Sequence, residues 1–316
     1  MTDIRVLGPL EVVGADGRPR EIGTPKQRMV LSILALAEGR PVSPSTLIDR
    51  IWGDAPPAEA LGAVQAYVSN LRRLLEPERP PRGRSLVLPF GAAGYRLVVD
   101  PLSLDVTRFL ALAAEVEQAT DPVRVERSAT EALELWRGEP YADLAGQEYL
   151  SAALAHLTEA RVRVQELRVS AVIAQGRHHE LVGDLRALTH EHPLRERLWA
   201  LLALTMYRCG RQGEALDALR TARRILTEEL GIDLSGELRD LQRDILRQAP
   251  HLNPQRLPLT GLTLPGTPDN GWWPPSGAST SDAILTCTRT GGRRVIQRGI
   301  GTSPGRPCGG TRIVHP

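Results

Sequence analysis

The stretch Leu61-Gly-Ala-Val-Gln-Ala-Tyr-Val-Ser-Asn-Leu-Arg-Arg-Leu-Leu75 decides the fold. Its apolar residues Leu61, Val64, Val68, Leu71 and Leu75 recur at steps of three and four, which is one stripe of a helix turned to a core. At about 100° per residue, Gly62, Ala66, Ser69, Asn70 and Arg73 point away from that stripe, and Gln65, Tyr67 and Arg72 lie on its flanks. The stretch carries two arginines and no acid. A helix face of small, amide and Arg side chains suits the major groove of DNA. Arg reaches phosphates or guanine edges, Asn and Gln can pair adenine, and small residues permit close approach.

Outward from this helix, both flanks fit one design. On the N-terminal side, Ile4, Val6, Leu7, Leu10, Val12 and Val13 alternate with polar residues, and Gly14-Ala-Asp-Gly17 reads as a turn. This predicts short antiparallel strands. Thr24-Pro25-Lys26-Gln27 offers an N-cap hydroxyl, a proline at the first helical position and a glutamine at the capping-box position. The helix it opens is expected to run to about Ala37 and to stop at Gly39. Ser43-Pro44 repeats the device and opens a second short helix ending at Trp52-Gly53. The deciding helix follows Pro56-Pro57. On its C-terminal side, Ser85–Phe90 and Tyr95–Val99 flank Gly91-Ala-Ala-Gly94, a β-hairpin pattern with Arg82, Arg84 and Arg96 near it. Trp52, Tyr95 and Leu71 are expected in the core.

Strands, three helices and a hairpin are the order of a winged helix-turn-helix. Val68-Ser-Asn-Leu-Arg-Arg-Leu-Leu-Glu76 and Gly94-Tyr-Arg-Leu97 resemble an OmpR-type winged helix. Ile4-Arg-Val-Leu-Gly-Pro-Leu10 and Pro25-Lys-Gln-Arg28 narrow the likeness to the Streptomyces antibiotic regulatory protein family of transcription activators, over residues 1–250. The resemblance implies that 58–76 is the recognition helix. It implies that Gln65, Tyr67, Ser69, Asn70, Arg72 and Arg73 meet DNA, and that Arg96 of the wing lies near the minor groove or a phosphate. Asn70 stands where the family often has Arg, and Tyr67 where it often has His, departures that bear on the target sequence.

From Leu104 onward the pattern is helical. Helices are expected near 105–118, 122–136, 146–174, 178–190, 194–208, 212–230 and 236–248. Gly176-Arg177-x-x-Glu180 recurs as Gly210-Arg211-x-x-Glu214, and Leu185-Arg186 as Leu219-Arg220. The offset of 34 residues is the period of tetratricopeptide-like helical hairpins. These residues, with Trp136-Arg-Gly-Glu-Pro140, His192-Pro-Leu-Arg-Glu-Arg197 and Glu229-Leu-Gly-Ile232, resemble the bacterial transcriptional activator domain. That likeness implies a part in dimerisation and in activation.

Composition sets the limits. The chain has 316 residues, 41 % hydrophobic and 24 % charged, with net charge +2. That is the range of soluble globular protein and excludes a grossly basic coat protein. Residues 1–100 carry net +2, 101–250 net −5 and 251–316 net +5. Three cysteines are too few for a disulfide framework and fit a reducing compartment. Met1–Val6 lacks a secretory signal pattern, no run of about 18 uncharged apolar residues occurs, and a cytoplasmic protein without a membrane span is expected. Residues 251–316 hold 9 Pro and 11 Gly among 66 positions, the composition of a flexible tail. The expected domains are therefore 1–100, 101–250 and 251–316, and the expected fold class is α+β winged helix-turn-helix, then all-α helical domain, then disordered tail.

Enzyme readings find no residues to carry them. Lys26 is the only lysine and follows Pro25, so no phosphate-binding loop exists. No dinucleotide fingerprint follows a strand. His178, His179, His190 and His192 lie close in sequence, but without CxxC or HExxH spacing they read as surface groups, not zinc ligands. Glu228-Glu229 and Glu115-x-Glu117 sit on polar helix faces. No cofactor and no metal is expected. The expected partners are double-stranded DNA with promoter repeats, RNA polymerase, and a second copy of the chain. The competing readings are a repressor or effector-controlled regulator with the same DNA contacts, and a helical scaffold for proteins.

Overall fold

The computed structural model describes residues 2–80 and 83–253. Strands β1 (Asp3–Arg5), β2 (Glu11–Val13) and β3 (Pro19–Arg20) form an antiparallel sheet in chain order. Ile4 faces Val12 in register, and both are fully buried. Helix α1 (Pro25–Leu36) starts with the Thr24 hydroxyl accepting the Gln27 amide at 3.3 Å. The expected capping box is only half made, because the Gln27 side chain turns to the Ile22 carbonyl instead of the Thr24 amide. Helix α2 (Pro44–Trp52) is capped in the same way by Ser43, whose hydroxyl accepts the Thr46 amide at 3.0 Å.

Helix α3 (Ala60–Leu75) buries Ala60, Val64, Val68, Leu71 and Leu75. Leu61 was expected in this stripe and is 49 % exposed. The core-facing line begins instead at Ala60, one full turn before Val64, and leaves Leu61 rotated toward solvent. Trp52 is half-buried, not core, whereas Tyr95 and Leu71 are buried as expected.

The hairpin consists of β4 (Phe90–Gly91) and β5 (Gly94–Tyr95), shorter than the sequence pattern suggests. Two more bonds extend it, Arg96 N–H to the Pro89 carbonyl at 3.2 Å and Val98 N–H to the Val87 carbonyl at 2.8 Å. The Val42 and Tyr95 backbones also exchange bonds of 2.7 and 2.9 Å, which seats the hairpin against the entry to α2. This seat explains Gly94. Its φ is +120°, and a Cβ there would lie 2.2 Å from the Val42 oxygen.

Then come α4 (Asp105–Gln118), α5 (Pro122–Glu134), α6 (Ser151–Ala174), α7 (Val182–Glu191), α8 (Glu196–Arg208), α9 (Gln212–Leu230) and α10 (Gly236–Leu246). Two starts differ from expectation. Three-residue and four-residue 3₁₀ turns, Glu148–Leu150 and His178–Leu181, precede α6 and α7. The 34-residue repeat has a physical basis. Gly176 and Gly210 adopt the left-handed conformation after α6 and α8, with Arg177 N–H bonded to the Val172 carbonyl and Arg211 N–H to that of Met206. Each arginine then pairs with the glutamate three residues on. Leu185 and Leu219 are both fully buried.

One apolar core joins Ile4, Val30, Leu34, Val64 and Leu71 to Phe109, Ala129 and Leu150, so the core does not break near residue 100. A second gathers Leu185, Leu198, Leu219, Leu226 and Ile245, and α6 contributes to both. Leu252 is buried, and its carbonyl accepts Arg208 Nε at 2.9 Å, so the start of the expected tail is ordered chain. Residues 254–316, with Trp272, Trp273, Cys287 and Cys308, lie outside the described residues, as does Arg82. Among the described residues no helix is long and apolar enough to cross a membrane.

Candidate nucleic-acid interface

The outward side of α3 presents Gly62, Gln65, Ala66, Ser69, Asn70 and Arg73, all exposed. Nothing in the helical half covers Ala66, Asn70 or Arg73. The face has no carboxylate, because Glu59 lies at the cap before it and Glu76 is drawn behind it. Its small central residues leave the helix backbone accessible to a second surface.

The flanking residues have other tasks. Tyr67 is half-buried and stacks on Trp52, with ring centroids 6.5 Å apart and planes inclined by 23°. Lys26 Nζ lies 4.5 Å from the centre of the Trp52 ring, so a cation borders the exposed face on the α1 side. Arg72 turns away from that face. Its Nε and Nη2 donate to the Leu88 carbonyl at 3.0 and 2.7 Å, and its guanidinium lies over Tyr95. Arg72 therefore braces the hairpin against α3. Arg96 and Arg84 are exposed on the hairpin and the segment leading to it. Asn70 Nδ2 donates to Gln27 Oε1 at 3.3 Å, and Asn70 Oδ1 accepts from Arg73 Nη2 at 2.6 Å.

Sequence reasoning missed Glu76. Its Oε1 accepts the Leu86 and Val87 amides at 2.7 and 3.1 Å, and its Oε2 accepts the Ser85 hydroxyl. Burial disfavours its charge, but the Ser85 hydroxyl, the two amides and Arg79 outweigh that and hold its carboxyl below the usual range. Together with Arg72 it fixes the wing to the end of α3. The signal that could have found it is its place as the first acid after an acid-free helix.

The other chemistry weighed from sequence does not converge. Among the described residues no group of His, Cys, Asp and Glu is placed to hold a metal ion. His179 and His190 are exposed, but His178 and His192 are half-buried, not surface groups, because the turns before α7 and after it fold them inward. Glu115 is occupied by Arg124 and Ser128, and Glu228 by Arg224. An open groove of about 660 Å³ between α7, α8 and α9 has a mixed lining that includes Thr189, Trp199, Met206, Asp217 and Arg224.

Residues 20–97 match the family described as transcriptional regulatory protein, C terminal, and residues 104–246 match the bacterial transcriptional activator domain. The chain is 41 % identical over 251 residues to the regulatory protein AfsR of Streptomyces coelicolor, covering 78 % of this chain and 24 % of AfsR. It is 36 % identical over 258 residues to the regulatory protein DnrI of Streptomyces peucetius, covering 79 % of this chain and 94 % of DnrI. The solved structure of Mycobacterium tuberculosis EmbR in complex with a low affinity phosphopeptide matches with a TM-score of 0.72 and 38 % identity, over 79 % of this chain and 66 % of that one. The chain thus spans about a quarter of AfsR and 64 % of the full EmbR sequence. The two family models match in tandem, and the chain covers 94 % of DnrI at 36 % identity and 72 % of the transcriptional regulator RedD of Streptomyces coelicolor at 34 % identity; on that ground it belongs to the Streptomyces antibiotic regulatory protein family of transcriptional regulators.

Proposed function

We propose that this chain is a sequence-specific, double-stranded-DNA-binding transcription activator that controls an antibiotic or other secondary-metabolite gene cluster. The observation that carries the DNA reading is the exposed, acid-free side of α3, with Gln65, Ser69, Asn70 and Arg73 on it and small residues between them. In this reading α3 enters the major groove and Arg96 of the hairpin approaches the adjacent minor groove or a phosphate. Tyr67 and Arg72 act at the edges, chiefly by holding α3 and the hairpin in place. The mechanism is binding, not catalysis, and invokes no cofactor or metal. Family membership is what supports cluster control, recruitment of RNA polymerase and action in the cytoplasm. Two protomers on promoter repeats gain effective concentration over one, with the helical half pairing them.

A mobility-shift series with the full chain and the promoters of its genomic neighbourhood tests the reading. Phosphate contacts release counterions, so affinity is expected to fall steeply between low and high salt. A flat response sinks the DNA reading. A reporter assay on a bound promoter separates activation from repression, and reporter output that drops when the protein is supplied overturns the activator part alone.

A further inference from the structure

Asn70 stands where an amide could read a base, yet both of its polar atoms are already engaged within the protein. The chain of bonds runs from the Ile22 carbonyl to Gln27 Nε2, from Gln27 Oε1 to Asn70 Nδ2 at 3.3 Å, and from Asn70 Oδ1 to Arg73 Nη2 at 2.6 Å. Its direction is forced from both ends. A backbone carbonyl only accepts, and a guanidinium only donates. Gln27 must therefore turn its NH₂ to Ile22 and its oxygen to Asn70. Asn70 must turn its NH₂ to Gln27 and its oxygen to Arg73. Each amide has one orientation, and the bonds polarise one another in the same sense. The root is firm. Gln27 is 6 % exposed, and its backbone amide is held by the Thr24 hydroxyl. The far end, Arg73, is exposed on the face offered to DNA.

We propose that Gln27 and Asn70 are positioning residues that fix the Arg73 guanidinium in register for a guanine edge, and that Arg73, not Asn70, reads the base. The proposal rests on the DNA-binding reading. A phosphate contact tolerates a mobile arginine, whereas bidentate recognition of guanine requires an oriented one. An arginine held in place beforehand also loses less side-chain freedom on binding. A bidentate contact from Asn70 to adenine needs both of its polar atoms, which here serve Gln27 and Arg73.

The test is a selection from a randomised duplex library with the full chain. The enriched duplex and its single-base-pair variants are then titrated against wild type, Arg73→Ala, Asn70→Ala, Gln27→Met and the Asn70→Ala/Arg73→Ala pair. Arg73→Ala is expected to abolish discrimination at one G·C pair, with about tenfold or greater loss of affinity for the enriched duplex. Asn70→Ala is expected to weaken discrimination at that same pair, and the double variant to bind no worse than Arg73→Ala. Asn70 is an exposed helical position where alanine preserves the helix, so this arm stands even where Gln27→Met fails to fold. Loss of an A·T preference of its own in Asn70→Ala overturns the proposal. So do additive losses in the double variant, or an equal loss on every duplex in Arg73→Ala. Enrichment of no motif by wild type overturns the DNA-binding reading and the proposal with it, whereas enrichment with independent variants overturns the relay alone.

Discussion

The seam between the N-terminal sheet and the helical half, and the outward side of α3, are polar surfaces of the same winged helix built by opposite rules. Along the seam the helical half supplies carboxylates. Asp105 accepts the Val6 amide at 2.8 and 2.9 Å and the Leu7 amide at 2.9 Å. Asp143 accepts the Leu10 amide at 2.8 Å and pairs with Arg28 of α1. Arg137 reaches back to the Pro9 carbonyl and Glu11. On α3 no acid is present, and Arg73 has only a neutral amide beside it. Where the chain must hold itself, each charge or amide has a partner within the protein. On the face proposed to meet DNA, the negative charge is left for the ligand to provide.

The largest effect that separates these surfaces is expected from Asp105→Ala, which orphans two buried amides. It should lower unfolding stability by about 3 kcal/mol or more in denaturant titration. A loss under about 1 kcal/mol breaks the view that the seam is part of the folding unit. Next is the hairpin seat. Gly94→Ala should cost about 3 kcal/mol from its positive φ and its clash with Val42, while Gly91→Ala, which meets open space, should stay under about 1 kcal/mol. Similar Tm values for the two variants count against the seat. Arg73→Ala inverts the pattern, with about tenfold weaker binding to a selected duplex and stability within about 0.5 kcal/mol of wild type. A large drop in Tm places Arg73 among the structural residues.

Acid sharpens the comparison further. Burial raises the Asp105 carboxyl above its usual range, against the pull of the two amides and Arg137. Glu76 is shifted the other way. The folded chain therefore takes up a proton at Asp105 more readily than the unfolded chain does, and that protonation does not unfold it. Glu76 contributes stability above the ordinary glutamate value of 4.5, and this is lost as pH falls through its lowered folded value. In an acid titration followed by NMR, the Val6 and Leu7 amides should respond above the ordinary aspartate value of 3.8, and Leu86 and Val87 below the ordinary glutamate value of 4.5. Protonation of Asp105 should not lower stability whereas protonation of Glu76 should, and Glu76→Gln should shrink the acid loss, which Glu115, Glu126, Glu159, Glu214 and Asp233 share. A response at Val6 and Leu7 below 3.8, or at Leu86 and Val87 above 4.5, contradicts the assignment. The smallest effect is expected for Arg224→Ala, whose partner Glu228 is an exposed neighbour on one helix turn, at under about 0.5 kcal/mol by thermal unfolding.

Much of the architecture was readable because it is local. Thr24-Pro25 and Ser43-Pro44 open helices wherever they stand, since a hydroxyl followed by proline satisfies the first turn from adjacent residues. The spacing of Val64, Val68, Leu71 and Leu75 chose the buried side of α3, and with it the open side. The 34-residue repeat marked the helix ends at Gly176 and Gly210. Leu61 was misplaced because periodicity fixes an angle around the axis but not which of two adjacent residues begins the buried line. The site was legible as a set of exposed candidates, not as a hierarchy among them. Nothing near Arg72 in sequence tells that it braces Leu88, and nothing near Asn70 tells that Gln27, 43 positions earlier, takes its amide.

The amino-acid order by itself determined the helix caps, the hydrophobic stripes, the sequence of elements and the absence of acid on α3, because each depends on residues within a turn or two of one another. Tertiary structure alone decided that Asp105 and Asp143 close the N-terminal sheet and α1 from about a hundred residues away, that Glu76 and Arg72 lock the hairpin, and that Arg73 is aimed through Asn70. A hydrogen bond acts over about 3 Å, and which groups come that close is settled by how the helices pack, not by their spacing along the chain.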